Sequence, residues 1–164
     1  MNEDIEDDFE DEDDELRDPR LEAIVEHYGR EHQRWKLVEE CGELIAELGR
    51  FKTSDRANVA DLLHEAADVI VVARQLWPTE RSVFWDYTVD DAIEALIFWT
   101  ADLASALSEG TYELFGRRRT QYVEGWAYAL AAQLEEELML CRAIDMKIER
   151  QLERIASEAQ EALK

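Results

Sequence analysis

The stretch LLHEAADVIVVARQLW, residues 62–77, places apolar side chains in nearly every direction around a helix. A helix that is apolar on all sides is normally buried by its neighbours. Glu65 and Asp68 are the acidic residues of this stretch, and they lie one turn apart on the same face. Because buried, isolated carboxylates are costly or take up protons, we expect a cation between this pair and a facing group.

The stretch KLVEECGELIAEL, residues 36–48, provides that facing group. At about 100° per residue, its apolar residues share one face. Glu40 and Glu43 lie beside that face, and Glu39 lies beyond Glu43. Acids at such spacing usually mark a solvated face. If this helix packs antiparallel against the buried helix, however, Glu40 and Glu43 face the acidic pair of the buried helix. Four carboxylates around one or two ions suit Mg²⁺.

Helical apolar spacing continues along the chain, and no strand pattern competes with it. Asp18 and Asn58 are candidate N-caps, and Gly29 is a candidate helix end. The last helical stretch is expected to break at Gly125 or between residues 140 and 145. The predicted helices cover residues 19–28, 31–50, 59–77, 89–108 and 120–164. This pattern predicts an all-α bundle of about five helices, completed by dimerisation or tetramerisation.

The chain of 164 residues has a net charge of −22, and eleven of its first fifteen residues are acidic. Such a run repels itself and has little apolar surface to bury, so residues 1–16 are predicted to be a disordered tail. Residues 17–164 have the length of a single domain. The negative charge argues against binding to duplex DNA, whose phosphates would repel the protein.

Cysteine usage and hydropathy indicate the compartment. Cys41 and Cys141 lie far apart in the sequence and are expected to be reduced thiols. No secretory leader is recognisable, and no apolar run reaches the roughly eighteen residues of a membrane span. We therefore expect a cytoplasmic protein with no membrane contact.

Residues 34–76 resemble the all-α nucleoside triphosphate pyrophosphohydrolases of the MazG-like superfamily, whose relatives include the dimeric deoxyuridine triphosphatases (dUTPases). The signature of that superfamily is E-x-x-E, a variable spacer and E-x-x-D. Here it reads Glu40 to Glu43, a spacer of 21 residues, and Glu65 to Asp68. The resemblance makes residues 34–77 the signature core and residues 88–164 additional helices.

The resemblance implies an activity and a ligand set. Members hydrolyse ribo- or deoxyribonucleoside triphosphates between the α- and β-phosphates, which releases a monophosphate and pyrophosphate and cleans or adjusts the nucleotide pool. They are usually dimers or tetramers, so a homodimer or tetramer is expected here. Mg²⁺, or Mn²⁺ in its place, would be held by Glu40, Glu43, Glu65 and Asp68.

Residues next to these acids suggest further roles. Glu39 is the candidate to accept a proton from the attacking water, and a plain surface glutamate is the open alternative. Lys36, one turn before Glu40, either meets a phosphate or pairs with that glutamate. Gly42 is unfavourable in a helix by roughly 1 kcal/mol relative to Ala, which close approach of a neighbouring helix or nucleotide would explain.

Many relatives carry a lysine and an asparagine four residues apart after the E-x-x-D pair, where they bind the phosphates. The nearest match here is MKIERQLERI, residues 146–155, with Lys147 and Gln151 far along the chain from Asp68. Either an extra helical pair precedes this element, or the phosphate contacts come from elsewhere.

Arg117, Arg118 and Arg119 form a dense basic cluster just before a predicted helix N-terminus. The helix dipole disfavours cations there, so a bound anion such as the substrate triphosphate would explain them. A salt bridge to the acidic tail or to another subunit is the alternative.

Aromatic and imidazole side chains near the signature have less specific interpretations. His64 precedes Glu65 but points elsewhere, and it is expected at the surface or at an interface. Trp35 and Trp77 either stack on a base or anchor the core or an interface.

A non-enzymatic acidic interaction protein is the main alternative, for example a nucleic-acid mimic or a regulator that binds a basic partner. Its expected mark is charge spread over the folded surface, not gathered into facing pairs. A di-iron carboxylate bundle is set aside because it needs a Glu-x-x-His pair on each of two helices, and the sequence contains none.

Overall fold

The computed structural model of the chain describes residues 18–54, 58–79 and 81–163, and the side chains of residues 112–114 lie outside this description. The predicted acidic tail, residues 1–16, also lies outside the described residues. The described residues form no strand. Their helices are α1 (Pro19–Tyr28), α2 (Arg30–Thr53), α3 (Val59–Leu76), α4 (Val89–Glu109), α5 (Tyr112–Gln133) and α6 (Glu137–Ala162).

The all-α prediction is confirmed, but the described residues form one helix more than the five predicted. The extra helix arises because the C-terminal stretch is divided between Gln133 and Glu137. Glu135 adopts a φ of 59° there, a left-handed conformation that interrupts a right-handed helix. The breaks predicted at Gly125 and at residues 140–145 are wrong, because these positions lie inside α5 and α6.

Local chemistry sets three of the helix boundaries. The Asp18 side chain accepts a hydrogen bond from the backbone N–H of Arg20, and the Asn58 side chain accepts one from that of Ala60. Gly29 ends α1 with a φ of 85°, which residues with a Cβ rarely adopt. These three predicted boundaries are confirmed.

Helix α3 lies at the centre of the bundle and packs against α1, α2, α5 and α6. Eleven of its eighteen residues are buried, including the run Val69 to Ala73, so the buried helix predicted from its sequence is confirmed. Helix α2 packs against α3 and α4, and α4 packs against α5. Neither α3 nor any other described helix is long and apolar enough to cross a membrane.

The loop between α3 and α4 packs tightly on two glycines of α5. The Trp77 ring covers Gly116 so closely that an added Cβ would overlap ring carbons. The Ser82 backbone N–H donates to the Gln121 carbonyl at 3.3 Å, and an added Cβ at Gly125 would overlap the Ser82 carbonyl oxygen. Trp77 is therefore a core anchor, and Gly125 stays within a helix because its small size admits the loop.

Substitution of Gly125 by alanine should lower the free energy of unfolding by about 1–3 kcal/mol, because a backbone oxygen cannot swing away from the new methyl group.

Gly42→Ala is the matched control, since nothing described lies within 4 Å of an added Cβ there. The neighbouring helix expected at Gly42 is thus not found among the described residues. Gly42→Ala should raise the free energy of unfolding by about 0.5–1 kcal/mol. Urea unfolding measures both changes in the free energy of unfolding. If Gly125→Ala left this free energy unchanged, the loop packing would be contradicted.

Candidate metal site and adjoining cavity

Contact between α2 and α3 brings together three of the four predicted metal ligands. One carboxylate oxygen from each of Glu40, Glu43 and Glu65 lies within 4.8 Å of the other two. Two of these residues belong to neighbouring turns of α2, and Glu65 belongs to α3. The two acidic patterns therefore meet at the interface of these helices.

Asp68 lies beside this group and is paired with a lysine of α6. Its Oδ2 accepts a hydrogen bond from the Nζ of Lys147, because α6 packs against α3. The charge of Asp68 also contributes to the raised pKa values of Glu40 and Glu65. Asp68 thus belongs to the same electrostatic cluster, although its oxygens are not among the three that converge.

Burial makes negative charge unfavourable at the centre of the cluster. Glu40 is only 5% exposed, and burial raises its pKa to about 7, although the hydrogen bond from Lys36 opposes this shift. Asp68 and Glu43 raise the pKa of Glu40 further. Burial likewise raises the pKa of Glu65, whose buried Oε2 has no hydrogen-bond partner among the described residues.

These features fit a divalent cation. Mg²⁺ takes oxygen ligands and is usually bound by a few carboxylates together with water and substrate phosphates. The converging donors are carboxylate oxygens, and one buried oxygen of Glu65 has no hydrogen-bond partner within the described part of the chain. Glu40, Glu43 and Glu65 are therefore the residues that would hold such an ion, with Asp68 beside them.

The raised pKa of Glu40 predicts a pH dependence for the stability of the metal-free protein. The ordinary pKa of this carboxyl is 4.5, and in the folded chain it is about 7. The folded state therefore binds this proton more tightly than the unfolded state. Its stabilising contribution is complete below about pH 4.5 and is lost as the pH rises to about 7.

Thermal unfolding with a chelator at about pH 5 and about pH 8 measures this contribution, with Glu40→Gln as the matched variant. Relative to the Tm of the native chain, the Tm of the variant should be higher at about pH 8 than at about pH 5. The reason is that glutamine carries no charge to desolvate. An equal difference at both pH values would contradict the raised pKa.

Lys36 partly neutralises the cluster from within α2. Its Nζ lies 2.7 Å from a carboxylate oxygen of Glu40 and 3.0 Å from one of Glu39. The pairing with Glu40 is therefore found, as one of the two roles expected for Lys36. The Glu39 side chain is 58% exposed, and its role as proton acceptor stays a prediction.

Helix α6 carries both residues of the predicted phosphate-binding pair to α3. Lys147 reaches the acidic cluster through Asp68. Gln151, one turn later, accepts a hydrogen bond from the side chain of Gln75 at 2.9 Å. Helices α4 and α5 lie between α3 and α6 along the chain. They form the extra helical pair that one of the two sequence interpretations expected before this element. Phosphate binding by Lys147 and Gln151 stays a prediction.

A cavity of about 450 Å³ adjoins the acidic cluster. It is lined by four side chains that can carry positive charge, Arg50, His64, Lys147 and Arg150, and by the acids Glu47, Asp61 and Glu65. His64 is exposed, as expected, but it also lines this cavity. Cations beside a carboxylate cluster provide a place for phosphate oxygens.

Glu47 belongs to the site although the sequence interpretation did not include it. It is 8% exposed, and its Oε2 accepts a hydrogen bond from Nε of Arg50 at 2.7 Å. Its charge contributes to the raised pKa of Glu65. The signal was present in the sequence, because Glu47 lies one turn beyond Glu43 on the same helical stripe.

The arginine cluster of residues 117–119 lies within α5, not before it. Helix α5 begins at Tyr112, several residues before the predicted start at Thr120. No helix N-terminus lies at these arginines, so the prediction that a helix dipole calls for an anion there is wrong. Trp35, in contrast to the buried Trp77, is 51% exposed. Its indole N–H donates a hydrogen bond to the carboxylate of Glu31 on the same helix.

A separate pocket of about 260 Å³ between α4 and α5, here called the arginine pocket, is lined by Trp99, Asp102, Phe115, Arg118 and Arg119. Arg119 is ion-paired with Asp102, and Arg118 lies 3.4 Å from the hydroxyl of Tyr122. None of the residues that line this pocket lines the cavity beside the carboxylates. The structure therefore places Arg118 and Arg119 in a different pocket from the one beside the predicted metal ligands.

No protein-family model matches the chain, and no curated protein or solved structure matches it either. The resemblance of residues 34–76 to the MazG-like superfamily therefore stays a prediction. The case for a function rests on the residues of the site and on their geometry.

Proposed function

We propose that the chain is a Mg²⁺-dependent nucleoside triphosphate pyrophosphohydrolase, which converts a nucleoside triphosphate and water into a monophosphate and pyrophosphate. The observation that carries the proposal is the convergence of Glu40, Glu43 and Glu65. One of these acids, Glu65, lines a cavity together with Lys147 and Arg150. Hydrolysis of a phosphoanhydride needs this combination, because a metal and fixed cations must stabilise charge on the phosphate oxygens.

Within this proposal the side chains have separate tasks. Mg²⁺, when bound, neutralises phosphate charge and lowers the pKa of the attacking water. Arg50, Lys147 and Arg150 bind phosphate oxygens in the cavity through charge-assisted hydrogen bonds. The oxygen of water bonds to the α-phosphorus, the bond to the bridging oxygen breaks, and pyrophosphate leaves. Glu39, next to Glu40 in the sequence, accepts the proton of the water.

Three further parts of the proposal are a homodimer or tetramer, a role in cleaning the nucleotide pool and a cytoplasmic location. The first two rest on the resemblance, and the location rests on the cysteine usage and the hydropathy of the sequence. Size-exclusion chromatography with light scattering tests the first of them, and a monomer at micromolar concentration would contradict it.

A non-enzymatic acidic protein that binds a basic partner is the alternative function. Its expected mark is an even spread of surface charge. Two observations favour the enzyme instead. The acids are gathered from two helices, and a buried oxygen of Glu65 has no hydrogen-bond partner in the part of the chain that the structure describes. Turnover that requires a divalent cation distinguishes the two functions.

The direct test is a screen of ribo- and deoxyribonucleoside triphosphates with Mg²⁺, with the products separated by chromatography. We expect equal amounts of monophosphate and pyrophosphate, and no turnover with a chelator. Orthophosphate and diphosphate as products would contradict the assigned bond. No turnover with any nucleotide, together with tight binding of a basic protein, would support the alternative.

A further inference from the structure

We propose that the acidic N-terminal segment of the chain, residues 3–15, binds its own arginine pocket between α4 and α5. This inference is independent of the proposed catalytic function, because the pocket shares no lining residue with the carboxylate cavity. It assigns a ligand to the arginine cluster that the metal site does not use.

The pocket combines positive charge with exposed aromatic surface. The guanidinium of Arg119 lies 5.5 Å from the ring centre of Phe115, and Phe115 is 56% exposed. Arg118 is exposed, and none of the described carboxylates forms an ion pair with it. Its described contacts are with the ring and hydroxyl of Tyr122. A ligand that is both anionic and apolar would satisfy this surface.

The N-terminal segment has this combination of chemistry. Eleven of the first fifteen residues are acidic, which complements the charge of Arg118, whereas Asp102 already neutralises Arg119. Ile5 and Phe9 interrupt the acidic run four residues apart, and they supply apolar side chains for the aromatic part of the pocket. The segment therefore matches both halves of the surface.

The described chain begins on the side of the bundle from which the segment can reach α5. Asp18 lines a cavity together with Arg30 and Pro78. The guanidinium of Arg30 lies 6.0 Å from the ring centre of Trp77, and that ring covers Gly116 of α5. A shared cavity and two side-chain contacts thus connect the start of α1 with the turn of α5 that carries the arginines.

Chain length is sufficient for the remaining distance. The segment from Ile5 to Asp18 reaches up to about 40 Å when extended, at roughly 3.3 Å per residue. A helix with its side chains is only about 10–12 Å wide. Tethering also gives the segment a high effective concentration at the pocket, so weak exposed ion pairs suffice for occupancy at low salt. High salt screens these ion pairs.

A spin label placed near the start of the full-length chain tests the contact. Asn2→Cys supplies the attachment point without removing an acid, in a Cys141→Ser background that leaves only the buried Cys41. The five tryptophans give separate indole N–H signals, which Trp→Phe variants assign. We expect strong paramagnetic broadening of the Trp99 signal and little broadening of the Trp35 signal at low salt.

Two variants and one mixture decide the interpretation. Arg118→Glu should abolish the broadening of Trp99, as should about 1 M salt, whereas Arg142→Glu, at an exposed position of α6, should leave it unchanged. Equal broadening of all tryptophans, or none at Trp99, would overturn the proposal. In the mixture, spin-labelled chains without ¹⁵N are added to ¹⁵N chains that carry no spin label. The Trp99 signal of the ¹⁵N chains should stay sharp, and its broadening would overturn binding within one chain.

Discussion

Replacement of Glu43 by glutamine should lower kcat for pyrophosphate release by about 100-fold or more. Glu43 supplies one of the three carboxylate oxygens that lie within 4.8 Å of one another, and a neutral amide binds a hard cation less well. A loss of about 3 kcal/mol of transition-state stabilisation corresponds to this decrease. The rate with saturating substrate, measured over a range of Mg²⁺ concentrations, tests it.

Glu153→Gln is the matched control for Glu43→Gln, because Glu153 is an exposed glutamate of α6. It should retain the native kcat and the native Mg²⁺ dependence. The Glu43 variant should keep or slightly raise its Tm in the absence of metal, because Glu43 is exposed and its charge repels those of Glu40 and Glu65. Turnover that survives Glu43→Gln would place the metal site elsewhere in the protein.

Replacement of Arg74 by methionine should lower the free energy of unfolding by about 3–5 kcal/mol, the usual loss when one partner of a buried ion pair is removed. Glu124 is 1% exposed, and its carboxylate accepts hydrogen bonds from Nε and Nη2 of Arg74. Without the guanidinium, this carboxylate would be buried and uncompensated. Urea unfolding near neutral pH measures the loss.

The double variant Arg74→Met/Glu124→Leu should recover most of that stability, because two apolar side chains replace the pair without leaving a buried charge. Arg154→Met, at an exposed arginine of α6, serves as the control and should change the free energy of unfolding by less than about 0.5 kcal/mol. If the double variant were as unstable as Arg74→Met, the buried charge would not be the cause.

Several features of the fold follow from short stretches of sequence. Apolar side chains around the whole of α3 require that it be buried, and the structure places it at the centre of the bundle. Asp18, Asn58 and Gly29 set helix boundaries through groups within a few residues of themselves. Such features are predictable because the interactions that cause them are local.

The candidate metal site was predictable for a similar reason. The spacing of Glu40 and Glu43 on α2, and the place of Glu65 on α3, set the helix faces on which these acids lie. The α2–α3 contact then suffices to bring their oxygens together. Asp68 departs from this expectation, because a lysine from a helix much later in the chain pairs with it.

The remaining features depend on contacts that no single stretch encodes. The passage of the α3–α4 loop over Gly125 arises from packing between segments that are distant in the sequence. In the sequence, Gly125 reads as a helix breaker. In the structure it lets the Ser82 backbone approach α5, so tertiary packing outweighs helix propensity.

The sequence by itself determined an all-α chain, a buried α3 and the helix faces that carry the acids, because helical periodicity and capping act within a few residues. Tertiary structure alone decided that Lys147 meets Asp68, that Arg50 and Arg150 line one cavity, and that Arg118 and Arg119 line another. The physical reason is that these meetings depend on how whole helix faces pack, and that packing sums many small contacts distributed along the chain.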